Sequence, residues 1–143
     1  MTEVDRTNHY RLIISLIGLL LAIIIFVAVW FIGYFLFNAF DSIRGLGNDK
    51  LQGIFREIVT PGVGGYAALS VATNYLKKAN PRFVFFGFSA LILVFIGIYI
   101  GIVVPVAGKA GVGIWEFLLS MVSIVASILG AYFACKDKLL TSF

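Results

Sequence analysis

The chain has 143 residues, of which 61% are hydrophobic and 13% charged, and a formal net charge of +4 at pH 7. Soluble domains are roughly a quarter charged, so this balance excludes an ordinary soluble domain; apolar runs of about 20 residues recur instead, the length that spans a bilayer. The 11 Lys and Arg are scattered at helix ends rather than gathered into a nucleic-acid footprint, and one Cys and one His exclude an intrachain disulfide and a Cys/His metal cluster.

Residues 1–10 form a polar tail. Arg6 and Arg11 precede an apolar run, as in a signal peptide, but the run from Leu12 to Phe40 is too long for one and no small-residue cleavage site interrupts it. It reads as an uncleaved transmembrane helix over 11–40. At about 1.5 Å per residue it exceeds the roughly 30 Å hydrocarbon core, so it must tilt or project into the interface. Trp30, Phe31, Tyr34, Phe35, Phe37 and Phe40 cluster at its C-terminal end like an interfacial aromatic belt. Gly18 and Gly33 stand isolated in an otherwise unbroken apolar surface, which predicts the outermost, lipid-facing helix.

Residues 41–57 make the longest connection, with turn formers Asp41, Ser42, Gly45, Gly47 and Asn48. Leu51, Ile54, Phe55 and Ile58 fall at helical spacing, with Asp49 and Lys50 just before them and Arg56 and Glu57 between them. That pattern predicts a short amphipathic helix on the membrane surface. Thr60-Pro61-Gly62 is expected to break it and to open a second transmembrane helix over 61–76. This helix is the least hydrophobic of the four. Gly64, Ala68 and Ala72 form a small-residue line suited to helix contact, and Tyr66, Ser70 and Asn74 form a polar line on the far side. Gly62, Gly64 and Gly65 at its start read as close packing in preference to an anion site. Lys77, Lys78 and Arg82 flank a tight turn closed by Asn80-Pro81. Helix 3 is expected over 82–104, with Gly97 and Gly101 as a GxxxG pair, and helix 4 over 113–135.

Helix 4 carries the most informative pattern. Glu116, Ser120, Ser123, Ser127, Gly130 and Ala134 recur at steps of three and four among apolar residues. In lipid such a stripe must face protein or water. One reading is a pore lining in a ring of copies, with Glu116 as a carboxylate ring at the outer mouth. The other is a helix seam in which the hydroxyls bond back to their own helix. Glu116, in the first turn beside Trp115, reads as an interfacial carboxylate, and the other spans hold no ionisable residue in their interiors, which argues against a proton-coupled exporter. Cys135 reads as a small apolar residue, with lipidation as the alternative.

The sequence thus predicts an all-α, polytopic integral membrane protein. Its single domain is a four-transmembrane-helix bundle with an interfacial amphipathic helix between helices 1 and 2, and with helices 2 and 4 inside. Seven Lys and Arg (Arg6, Arg11, Lys77, Lys78, Arg82, Lys136, Lys138) fall on one side and four (Arg44, Lys50, Arg56, Lys109) on the other. The positive-inside rule then places both termini in the cytoplasm of a plasma (bacterial inner) membrane. No catalytic constellation or cofactor site is visible, so no enzyme is expected. The bilayer is the first partner, and surplus small-residue faces predict homo-oligomerisation or a second membrane protein. That protein would dock at the turn Lys77, Lys78, Arg82 or at residues 49–58; no nucleic-acid partner is expected. The expected function is an oligomeric ion-permeable channel or membrane-perturbing pore; the alternative is a non-conducting anchor or sensor subunit of a larger complex, for example a bacterial or phage-encoded defence or exclusion system.

Overall fold

The computed structural model describes residues 3–44, 49–98, 101 and 114–140, with side chains at 7–39, 53–54, 56–98, 101 and 117–140. The described residues form four α-helices and no strand: α1 (Glu3–Arg44), α2 (Asp49–Tyr75), α3 (Pro81–Ile98) and α4 (Ile114–Leu140). Among them, three helices are long and apolar enough to cross a membrane, through Thr7–Ala39, Pro81–Ile98 and Phe117–Leu140. The expected extension of helix 3 to residue 104 and the loop with Lys109 lie outside the described residues.

Contacts give the direction of each helix. Gly33 of α1 faces Thr60 and Gly18 faces Leu76, so α1 and α2 are antiparallel. Ser123 of α4 meets Glu57 and Lys138 meets Thr73, so α2 and α4 run parallel. Arg82 at the start of α3 donates to the Leu139 carbonyl near the end of α4, which makes those two antiparallel. Around the bundle the order is α1, α2, α4, α3, and the α2–α4 contact is the most extensive. The core is built from Ala22, Ala68, Leu69, Ala72, Val84, Phe88 and Ala131. An edge-to-face pair of Phe26 and Phe88, centroids 5.4 Å apart, closes it between α1 and α3.

Four expectations are corrected. Helix 1 runs from Glu3 to Arg44 instead of 11–40, so it takes in most of the expected polar tail and the expected turn formers Asp41 and Ser42. The amphipathic segment and helix 2 are one continuous helix that passes through Pro61. Helix 4 continues past residue 135, which carries Lys138 along the helix as far as Thr73. And α1 is not lipid-facing all round: Ser15 and Ala22 are buried. Its isolated small residues are notches for neighbours, since a Cβ at Gly18 would lie 3.3 Å from Val84 and one at Gly33 would overlap the Thr60 side chain. The opposite side, including Leu16, Leu20, Ile24, Val27 and Phe31, is exposed, as lipid contact requires.

Ser15 also fastens α1 to the α2–α3 turn. Its hydroxyl donates to the Arg11 carbonyl at 2.8 Å and accepts the Asn80 N–H at 2.9 Å. Asn80 in turn caps α3, its Oδ1 accepting the N–H groups of Arg82 at 3.0 Å and Phe83 at 3.4 Å. Ser15→Ala removes the acceptor of the Asn80 N–H and is expected to lower stability by about 1 kcal/mol. Helical circular dichroism during SDS unfolding in mixed micelles checks this; an unshifted midpoint would contradict it.

Candidate functional site

Pro61 determines the chemistry of the α2–α4 contact. In an α-helix the N–H of residue 61 would bond the carbonyl of residue 57, but proline has no N–H, so the Glu57 carbonyl loses its helical partner. Ser123 of α4 supplies the replacement, its hydroxyl donating to the Glu57 carbonyl at 3.0 Å. The same hydroxyl lies against the Glu57 carboxylate, so its one proton has two acceptors on a single residue. Serine hydroxyls from neighbouring helices are one of the means by which a buried proline helix stays continuous. Pro61 itself is fully buried.

One turn further on, the two backbones touch. A Cβ at Gly65 would lie 2.1 Å from the Ser127 carbonyl oxygen, and a Cβ at Gly130 would lie 2.0 Å from that of Gly62. Only glycine permits this approach at both positions. Ser127 is buried and returns its own proton to the Ser123 carbonyl at 2.8 Å, four residues back in α4.

Glu57 also pairs with Arg56, Nε to Oε1 at 3.5 Å, and the Arg56 guanidinium sits 4.9 Å from the centre of the Tyr34 ring on α1. Arg56, Glu57 and Tyr34 therefore form a polar cluster at one end of the bundle, joined to α4 through Ser123. Both charged side chains are only about a quarter exposed, at 28% and 25%.

The residues singled out from the sequence are divided by the fold. Ser123, Ser127 and Gly130 come together against α2. Ser120 lies half-buried on α4, and the side chain of Glu116 is outside the described residues. Tyr66 is exposed, Ser70 is half-buried, and Asn74 is exposed and donates to the Ser70 hydroxyl at 3.3 Å. Ala68 and Ala72 are in the core, and a Cβ at Gly64 would meet the Phe26 ring at 3.1 Å. A Cβ at Gly97 or Gly101 would meet nothing within 4 Å. Cys135 is buried, its thiol directed at the Ala131 carbonyl 3.1 Å away, which does not suit lipidation. Glu57 is the residue that reading by periodicity missed. The available signal was its position four residues before Pro61, which orphans its carbonyl. Comparison with protein-family models, with curated proteins and with solved structures finds no match.

Gly130→Ala forces the two backbones apart and is expected to cost about 1–3 kcal/mol. Ser127→Ala removes only a bond within α4 and is expected to stay within about 0.5 kcal/mol of wild type. Equal effects of the two on the SDS-unfolding midpoint would contradict the close contact at Gly130.

Proposed function

We propose that the chain is a four-pass, non-enzymatic protein of a plasma (bacterial inner) membrane, acting as a non-conducting anchor or sensor subunit of a larger membrane assembly. The observation that carries this reading is the seat of the α4 stripe. Ser123 bonds Glu57, and Ser127 and Gly130 lie backbone to backbone with Gly65 and Gly62, which leaves no room for a water path at that level of the α2–α4 seam.

The fourth pass is α2. Its 27 residues extend about 40 Å, and its lower apolarity is tolerable because Leu69, Ala68 and Ala72 meet protein instead of lipid. Arg11, Lys78, Arg82 and Lys138 converge near the α2–α3 turn, which supports cytoplasmic termini. The outward glycines Gly97 and Gly101 support assembly, with a further copy or another protein, since small exposed positions allow a second helix close approach. The competing proposal, an ion-permeable pore lined by Glu116, Ser120, Ser123 and Ser127, requires α4 to turn its stripe from α2 to a shared axis and to break the Ser123–Glu57 contact.

Planar-bilayer recording separates the two. The wild-type protein is expected to give no discrete conductance, and Ser123→Leu to lower unfolding stability by about 1–3 kcal/mol through overpacking of the seam. Stepwise wild-type currents abolished by Ser123→Leu would establish the pore in place of the anchor.

A further inference from the structure

A cleft of about 430 Å³ opens at the end of the bundle opposite the Arg56–Glu57 cluster. Among the described residues it is lined by Thr73 and Asn74 of α2, Lys77 and Ala79 of the turn, Pro81 of α3 and Lys138 of α4, two cations and no anion. Lys138 Nζ donates to Thr73 Oγ1 at 3.1 Å and to Asn74 Oδ1. Those acceptors are neutral, so they hold the ammonium in place without supplying a counter-charge. Lys77 is exposed at the rim. Thr73 has committed its own proton to the Leu69 carbonyl at 2.8 Å and Asn74 one of its two amide protons to the Ser70 hydroxyl, so the charged donors that can turn toward a ligand are those of the lysines.

The height of the cleft along the bundle selects the ligand. Pro81 is the first residue of one segment able to cross a membrane, and Lys138 lies two residues inside the end of another, Phe117–Leu140. The cleft therefore sits where hydrocarbon gives way to headgroups. Basic pockets between transmembrane helices at this level recognise anionic headgroups.

We infer that this cleft binds the phosphate group of an anionic phospholipid, with Lys138 as the fixed contact and Lys77 closing from the rim. The inference rests on the chain being a membrane protein and on the α2–α4 alignment that the proposed function also uses; conduction is read separately, by planar-bilayer recording. The test is native mass spectrometry of the full chain in detergent with equal amounts of phosphatidylglycerol and phosphatidylcholine. Phosphatidylglycerol is expected to be retained at least about fivefold better, and Lys77→Gln and Lys138→Gln each to reduce its retention about fivefold. Lys136→Gln, at the same end of α4 but outside the cleft, is expected to retain it as wild type does. Equal retention of the two lipids, or an equal loss in Lys136→Gln, overturns the site. Millimolar inorganic phosphate forming adducts with the same lysine dependence overturns the lipid in favour of a soluble phosphate. Lys138 also ties α4 to α2, so helicity is recorded for each variant; if Lys138→Gln unfolds, Lys77→Gln against Lys136→Gln decides.

Discussion

A backbone carbonyl packed between helices has to find a donor, because leaving it unpaired away from water costs free energy comparable to a lost hydrogen bond or more. Pro61 creates such a carbonyl at Glu57, and the α2–α4 interface is arranged around its repair by Ser123. The repair fixes the register of α4 on α2. With Ser123 opposite Glu57, Gly130 falls against Gly62 and Ser127 against Gly65, and Lys138 reaches Thr73 and Asn74 near the far end. A shift by one residue would place a side chain where only a glycine hydrogen fits.

That register connects the two polar regions of the bundle. At one end Arg56, Glu57 and Tyr34 gather on α1 and α2 beside Ser123. At the other, Lys138 of α4 is carried to the mouth of the α2–α3 turn, where Ser15 and Asn80 tie α1 to α3. Between them the contact is made by small residues, whose close approach lets van der Waals packing hold the helices together. The proposed absence of conduction and the proposed headgroup site depend on the same alignment.

Three of the four helices are legible from apolar run length, and the α4 stripe from its three-four spacing. What the stripe faces is not, because a line of small and polar residues has the same pattern against a helix or against water. Pro61 illustrates the limit most clearly. Local propensity reads Thr60-Pro61-Gly62 as a helix boundary, yet one lost hydrogen bond does not end a helix when a neighbour supplies the donor, and Ser123 lies 62 positions away in sequence. The same local reading places Glu57 on a solvated amphipathic face. Ser15 and Gly18 of α1 lie within an apolar run, yet the steps of three, four and four from Ser15 through Gly18 and Ala22 to Phe26 mark the buried side.

The most direct test is a double-mutant cycle between Pro61→Ala and Ser123→Ala, read as SDS-unfolding free energy in mixed micelles. Alanine at position 61 restores an N–H to the Glu57 carbonyl, so the serine hydroxyl should matter less in that background. The account predicts that Ser123→Ala is costlier beside Pro61 than beside alanine, by at least about 0.5 kcal/mol of coupling. Strict additivity of the two substitutions would mean that Ser123 does not stand in for the missing donor, and the explanation of the α2–α4 register would fall with it.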